Sequence, residues 1–129
     1  MTALITPFAN GKLDEKAFKA LVERQVTEGT HAVVPCGTTG ESPTLTHEER
    51  QENADKLIKH VKGKKPVYVH VGNTDLRSTA QLAVAAKESG ADGIGVIPAY
   101  YYSGHPPTEI DLYFKEKLGR VMGIEPTTS

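Results

Sequence analysis

The sequence lacks several features that mark particular classes of protein. It has no tryptophan and a single cysteine, Cys36, which excludes an intrachain disulfide and fits a reducing, cytoplasmic compartment. No apolar run approaches the roughly 20 residues that a membrane-spanning helix needs. Residues 1–8 are too short and too polar for a secretory signal peptide, so we expect a soluble chain with no membrane partner.

The charge balance favours neither sign. With 15 basic and 16 acidic side chains the formal net charge is -1, which gives no electrostatic footprint for nucleic acid or for an anionic membrane. At 129 residues, 38% of them hydrophobic and 24% charged, the chain has the size and composition of a globular domain. We therefore expect a small-molecule partner and no nucleic acid.

Apolar segments and amphipathic segments alternate along the chain. Strands are predicted at residues 3–6, 31–34, 67–69 and 93–97. The last three each follow a glycine that is suited to the left-handed residue just past a helix: Gly29, Gly63 and Gly90. Helical periodicity fills the intervals, and a fourth helix is predicted to begin near Thr108, so the order is βαβαβαβα.

Helix-start signals agree with this order. Asp14 is positioned to cap the first helix, and Thr46 with Glu49 and Ser78 with Gln81 have the spacing of a capping box. The nearly continuous apolar strands favour a parallel sheet with helices packed on it. This pattern allows an open flavodoxin-like sheet or part of a (β/α)₈ barrel, and periodicity does not choose between them.

A glycine-flanked threonine pair follows the second predicted strand, in the stretch Gly-Thr-Thr-Gly-Glu-Ser at residues 37–42. Ligands of parallel α/β proteins bind beyond the carboxyl ends of the strands. Exposed amides and the hydroxyls of Thr38 and Thr39 are suited to a carboxylate. The alternative is a polar turn leading to the cap at Thr46. The stretch is not a Walker A loop, since no lysine follows the second glycine.

Other polar side chains give weaker signals. Tyr100, Tyr101 and Tyr102 crowd the end of the fourth predicted strand, where phenols relay protons or pack in an interface. The histidines lack the spacing of a metal site; only His70 is positioned to face a ligand, and a structural role is its alternative. Cys36 has no adjacent base and is expected to pack as a small hydrophobe.

Four stretches in register resemble the dihydrodipicolinate synthase and N-acetylneuraminate lyase superfamily. They are Ala-Leu-Ile-Thr-Pro-Phe at residues 3–8, residues 37–45 with Glu49-Arg50, Gly-Ala-Asp-Gly at 90–93, and Pro-Ala-Tyr-Tyr at 98–101. The resemblance covers residues 2–118. It implies the N-terminal half of a (β/α)₈ barrel at residues 1–118, truncated after about the fourth βα unit, and an irregular tail at residues 119–129 that matches nothing in the family.

The resemblance also implies roles for residues. Members bind or make pyruvate through a Schiff base to a lysine on the sixth strand and need no metal or other cofactor. Thr39 with the loop amides, including Gly40, would grip the pyruvate carboxylate, and Thr38 would bind it and pass protons. Tyr100 matches the tyrosine that reaches into a neighbouring subunit's site, with Tyr101 as the alternative if the loop is shifted by one residue.

The sequence departs from the family in its lysines. Lys64 and Lys65 precede a strand, Lys12 is predicted in a loop, and the others fall on helices, so none is suited to form the imine. We therefore predict a fragment of a pyruvate-dependent lyase that is inactive alone. The alternatives are an N-acetylneuraminate or 2-keto-3-deoxy sugar acid aldolase, a non-catalytic carboxylate-binding or assembly module, and an unrelated open-sheet domain. Open barrel edges predict a homo-oligomer.

Overall fold

A computed structural model describes residues 1–98 together with Tyr100. Its helices are α1 (Glu15–Thr27), α2 (His47–Val61) and α3 (Leu76–Glu88), with a 3₁₀ turn at Ser42–Thr44. Its strands are β1 (Thr2–Ala3), β2 (Phe8–Ala9), β3 (Lys12–Leu13), β4 (Val33–Val34), β5 (Tyr68–His70) and β6 (Gly93–Gly95). The helix predicted near Thr108 and the tail predicted at residues 119–129 lie outside the described residues.

The long-range strands are parallel and lie side by side in chain order. β1 pairs with β4 and β5 pairs with β6, and a bridge from Val33 to Val67 joins the two pairs. The amide of His70 extends this junction by donating to the carbonyl of Pro35 at 3.2 Å. A flavodoxin-like sheet would instead place the first strand between the second and the third. The sequential order is that of a (β/α)₈ barrel, and the open-sheet alternative is wrong.

The first two helices begin where the sequence predicts. The carboxylate of Asp14 accepts from the amide of Ala17 at 3.0 Å. At α2 the hydroxyl of Thr46 accepts from the amide of Glu49 at 3.1 Å, and the Glu49 carboxylate accepts from the amide of Thr46 at 2.8 Å. Each bond satisfies an amide that the helix itself leaves without a partner. The glycines predicted after the helices all have the expected positive φ: Gly29, Gly63 and Gly90.

The start predicted for α3 is wrong by several residues. The helix begins at Leu76, and Asp75 caps it by accepting from the amide of Ser78 at 2.8 Å. Ser78 is therefore inside the first turn and does not form a capping box with Gln81. An aspartate at the N-cap combines a hydrogen bond with a favourable charge near the positive end of the helix dipole, so Asp75 is the stronger cap.

A short antiparallel hairpin between β1 and α1 was not predicted. β2 pairs with β3 through a turn at Asn10 and Gly11, whose φ values are 52° and 73°. Positive φ at both positions is the geometry of a two-residue type I′ turn, for which Asn-Gly is the favoured sequence. The signal was therefore present in the sequence. Lys12, predicted in a loop, lies in strand β3.

The core lies between the parallel strands and the three helices. Each helix buries one apolar stripe, as its periodicity predicts. The buried set comprises Leu4, Phe18, Val22, Val33, Ala54, Leu57, Val61, Val67, Val69, Val71, Leu82, Ala83 and Ala86. Because these side chains come from every one of the βα units described, the helices are fixed against the strands whose ends carry the candidate site.

The other face of the strands is uncovered in the described part of the chain. Alternate strand residues point to opposite faces. Leu4 and Val69 are buried against the helices, whereas Ile5 is 54% exposed and Tyr68 37% exposed on the opposite face. β6 has a glycine opposite the ring of Tyr68, and a Cβ on Gly93 would lie 2.6 Å from that ring. This alternation of large and small residues is typical of a barrel interior.

Candidate active site

The threonine loop lies at the carboxyl ends of the parallel strands. It follows β4 after Pro35 and Cys36, and Cys36 has a φ of 60°, which turns the chain sharply out of the strand. The loop leads through the 3₁₀ turn and the Thr46 cap into α2. This is the rim at which ligands bind in a (β/α)₈ barrel. The predicted position of the threonine pair in the fold is therefore the one observed.

Hydrogen bonds within the loop divide its amides into two groups. The amide of Gly40 donates to the carbonyl of Gly37 at 3.1 Å, that of Glu41 to Thr38 at 3.0 Å and that of Ser42 to Gly37 at 3.3 Å. These three close a compact turn. Within the described residues the amides of Gly37, Thr38 and Thr39 donate no hydrogen bond, and of these three residues only the threonines are exposed. The exposed free amides of the loop therefore lie on the threonines.

The side-chain hydroxyls of the two threonines are free as well in the part of the chain that the structure describes. Together with the two amides they give four hydrogen-bond donors on adjacent residues. Donors of this kind bind a carboxylate without a formal positive charge in the loop. The amide of Gly40, which is predicted to help bind the carboxylate, donates to the carbonyl of Gly37 within the loop.

Gly40 approaches the residues that follow β1 so closely that it has no room for a side chain. A Cβ at this position would lie 2.9 Å from the carbonyl oxygen of Leu4, 3.2 Å from Oγ1 of Thr6 and 3.3 Å from the amide nitrogen of Cys36. The hydroxyl of Thr6 donates to the carbonyl of Gly40 at 2.8 Å. That hydroxyl in turn accepts from Nδ2 of Asn53, on α2, at 3.1 Å. The loop is therefore held from behind by Thr6, in the segment that follows β1, and through it by Asn53 on α2.

A buried arginine connects the strand ends below the loop. Arg50 is only 3% exposed and donates to the carbonyls of His70 and Gly72 at 2.8 and 3.1 Å. Burial lowers the pKa of the Arg50 guanidinium, while the nearby Cys36 thiol and Tyr100 phenol act in the opposite direction. The Tyr100 phenol thus influences the same guanidinium as Cys36, the residue directly before the threonine loop.

Two titratable side chains near Arg50, Cys36 and His70, are poorly suited to react. Burial raises the pKa of the Cys36 thiol to about 11, and its Sγ donates to the carbonyl of Arg50 at 3.5 Å. Burial, followed by the charge of Arg50, lowers the pKa of His70, whose Nδ1 has no partner among the described residues. Cys36 packs as the small hydrophobe that was predicted.

The structure thus places the three predicted loop residues, Thr38, Thr39 and Gly40, at one rim. The Tyr100 phenol is close enough to Arg50 to raise the pKa of its guanidinium against the effect of burial. The alternative relay residue, Tyr101, lies outside the described residues. Within residues 1–98 and Tyr100 there is no cluster of metal-ligating side chains and no helix long and apolar enough to cross a membrane. A wide surface groove between α2 and α3 includes neither threonine.

Comparison with known proteins agrees with this geometry. The model of the dihydrodipicolinate synthetase family matches residues 1–121. The chain belongs to this family. A 4-hydroxy-tetrahydrodipicolinate synthase of Nitratidesulfovibrio vulgaris (strain Miyazaki F) is 46% identical over 112 residues, which are 87% of this chain and 37% of that protein. The chain therefore spans well under half the length of such relatives.

Solved structures of family members have the same fold. The dihydrodipicolinate synthase of Aquifex aeolicus superposes with a TM-score of 0.86 at 38% identity, covering 95% of this chain and 41% of that one. YagE, a prophage protein of the dihydrodipicolinic acid synthase family from E. coli K12 that was solved in complex with pyruvate, superposes with a TM-score of 0.83 at 32% identity. That match covers 92% of this chain and 39% of YagE. The parallel βα units are therefore those of this family's (β/α)₈ barrel.

Three residues that shape the site received no role from the sequence. Thr6 and Arg50 belong to the stretches that carry the family resemblance, and Asn53 lies three residues after Arg50 on the buried stripe of α2. A polar residue at such a position is a signal of a buried hydrogen bond, because an unpaired polar group is costly in a core. Its partner is not predictable, since Thr6 is 47 residues away in the sequence.

Proposed function

We propose that this chain forms the pyruvate-binding part of a lyase site of the dihydrodipicolinate synthase type. The observation that carries the proposal is the set of free amides and hydroxyls on Thr38 and Thr39 at the carboxyl ends of parallel strands. Pyruvate is a small 2-oxo acid whose carboxylate matches these donors. The pyruvate found with YagE supports the same ligand class.

In this proposal Thr39 and the two free amides bind the carboxylate, and Thr38 both binds it and passes protons. The Tyr100 phenol extends the relay. Class I chemistry joins a lysine amine to the keto carbon of pyruvate with loss of water, and the resulting imine makes the methyl group acidic enough for carbon–carbon bond formation or cleavage. The 129 residues supply the carboxylate grip, and we propose no imine-forming lysine among them.

Titration of the 129-residue chain with pyruvate, followed by borohydride reduction and mass measurement, tests the proposal. We expect saturable binding that Thr39→Val weakens, whereas Thr27→Val, an exposed threonine on α1, leaves it unchanged. Failure of the parent chain to bind pyruvate at millimolar concentration contradicts the proposed site. A covalent adduct of the mass expected for reduced pyruvate contradicts the proposal that no lysine here forms the imine.

The same measurements separate the main proposal from a non-catalytic carboxylate-binding module and from sugar-acid aldolases. A module predicts binding of pyruvate and of unrelated monocarboxylates such as acetate with similar affinity, because only the carboxylate is recognised. A pyruvate-dependent site predicts preference for 2-oxo acids. N-acetylneuraminate or 2-keto-3-deoxy sugar acids as substrates predict that these longer acids compete with pyruvate for the loop.

We also propose that a second copy of the chain is its partner, and that residues 1–118 form the barrel part with an irregular tail at residues 119–129. The uncovered inner face, with Ile5 and Tyr68 exposed, supports association. Sedimentation velocity over a range of concentrations tests the first point, and a single monomeric species throughout contradicts it. Limited proteolysis with mass mapping tests the second, since an irregular tail is cut first.

A further inference from the structure

One buried polar side chain on α2 is not explained by packing. Asn53 is 1% exposed among residues that otherwise form the core, and its Oδ1 has no hydrogen-bond partner in the described residues. Leaving a buried acceptor unpaired lowers the stability of the fold. The hydrogen bond made by the other polar atom of this side chain, Nδ2, gives a reason for an asparagine at this position.

The other amide atom of Asn53 begins a directed chain of hydrogen bonds. Nδ2 donates to Oγ1 of Thr6 at 3.1 Å, and Thr6 donates to the carbonyl of Gly40 at 2.8 Å. A hydroxyl has one proton to give. Oγ1 of Thr6 accepts the hydrogen bond from the Asn53 amide, and it donates its own proton to the carbonyl of Gly40.

The chain continues through a single rigid group. The carbonyl of Gly40 and the amide of Glu41 belong to the same peptide unit, which is planar. The amide of Glu41 donates to the carbonyl of Thr38 at 3.0 Å. Holding the Gly40 carbonyl therefore fixes the plane that holds Thr38, whose amide and hydroxyl face the proposed ligand.

We propose that Asn53 and Thr6 are positioning residues that orient the threonine loop for its carboxylate ligand. The proposal rests on the proposed function for its ligand and on the hydrogen-bond geometry for its mechanism. Neither side chain needs to touch pyruvate. Asn53 acts through Thr6, and Thr6 acts through the Gly40–Glu41 peptide.

Two variants of the 129-residue chain break the relay at different points. Thr6→Val removes the hydroxyl with little change of shape, and Asn53→Leu removes the amide. Each is expected to weaken pyruvate binding about five-fold, as the loss of one hydrogen bond of about 1 kcal/mol does. Thr6→Ser restores the hydroxyl and is expected to retain affinity close to that of the parent.

The urea midpoint of unfolding distinguishes a positioning role of Asn53 from a merely structural one. Asn53→Leu removes an unpaired buried acceptor, so we expect an unfolding midpoint in urea equal to or above that of the parent, together with weaker binding. A purely structural asparagine predicts a lower midpoint. Thr79→Val is the matched control, because Thr79 is equally buried and its hydroxyl donates to the carbonyl of Asp75, away from the loop. It is expected to leave pyruvate affinity unchanged.

Amide hydrogen exchange tests the relay without any ligand. The amide of Glu41 is expected to exchange several-fold faster in Thr6→Val and in Asn53→Leu than in the parent or in Thr79→Val. If the parent does not bind pyruvate, the proposed function fails while this exchange still decides the relay. Unchanged exchange at Glu41 in both variants, or an equal change in Thr79→Val, overturns the inference.

Discussion

Adding one methyl group at Gly40 is expected to damage the candidate site more than any other change of that size in the loop. The new Cβ would lie 2.9 Å from the carbonyl oxygen of Leu4, which is closer than real Cβ atoms come to such a neighbour. Two more contacts, at 3.2 Å from Thr6 and 3.3 Å from Cys36, leave no direction in which the methyl can escape. The loop must therefore move away from β1.

The expected size of the effect follows from overpacking. Inserting a carbon into a closely packed region lowers the free energy of unfolding by roughly 1–3 kcal/mol. Backbone strain adds nothing, because Gly40 does not have a positive φ. In a domain of this size each kcal/mol lowers Tm by roughly 4 °C. Movement of the loop also disturbs the Thr38 and Thr39 donors, so pyruvate affinity is expected to fall in Gly40→Ala even where the chain is fully folded.

Gly37 provides a matched control in the same loop. Among the described residues a Cβ there meets no atom within 4 Å, and the φ of Gly37 is not positive. Gly37→Ala is therefore expected to leave the free energy of unfolding unchanged or to raise it by roughly 0.4–1 kcal/mol through the unfolded chain. Urea unfolding of both variants at one protein concentration is the assay. Equal midpoints for the two variants would refute the reasoning that close approach to β1 fixes the loop.

Three further predictions concern groups outside the loop. Because the pKa of Cys36 is raised from an ordinary 9.0 to about 11, its thiolate fraction near pH 8 falls about 100-fold, and reaction with Ellman's reagent is expected to be slow in the native chain and fast in urea. Asp75→Ala is expected to lower the free energy of unfolding by roughly 0.5–2 kcal/mol, whereas Ser78→Ala is expected to change it little. Urea unfolding measures both, and a larger loss in Ser78→Ala than in Asp75→Ala would indicate that Ser78 is the cap. The pKa of His70 is lowered by burial and then by Arg50, so the unfolded chain binds the proton first as pH falls. The contribution of His70 to the free energy of unfolding is therefore fully present above the ordinary histidine pKa. It is lost as the pH falls from that value towards the lowered pKa of His70 in the folded chain. Urea midpoints measured between pH 8 and pH 5 should decline, and less so in His70→Gln; an identical decline in this variant contradicts the assignment.

Local signals allowed the sequence to predict most of the architecture. Caps such as Asp14 and the Thr46–Glu49 box act within one turn of helix, so neighbouring residues contain all the information. The alternation of apolar strands and amphipathic helices gave the parallel βα order for the same reason. The signal for the Asn10-Gly11 hairpin is equally local, and the shift of α3 arises because two possible caps, Asp75 and Ser78, lie three residues apart.

Other features depend on contacts that no local pattern contains. Periodicity could not choose between an open sheet and a barrel, because the order of the strands depends on which strands pair along their edges. The support of the loop by Thr6 and Asn53 joins three separate elements. The division of the loop amides into used and free groups depends on the turn that the chain adopts, so the sequence did not show that the Gly40 amide is used within the loop while those of Thr38 and Thr39 are not.

The polarity of the proposed site depends on Arg50, which is buried below the loop. Nη1 and Nη2 of its guanidinium donate to the carbonyls of Gly72 and His70 and so hold the ends of the strands, whereas Nε has no partner among the described residues. In the proposed site the ligand meets the neutral donors of Thr38 and Thr39, with the positive charge of Arg50 behind them. Neutral donors gain strength from being held in place before the ligand arrives, since no reorganisation is needed on binding. Support of the loop by Thr6, Asn53 and the bare backbone of Gly40 is thus what the proposed binding of a small monocarboxylate by the neutral donors of Thr38 and Thr39 requires.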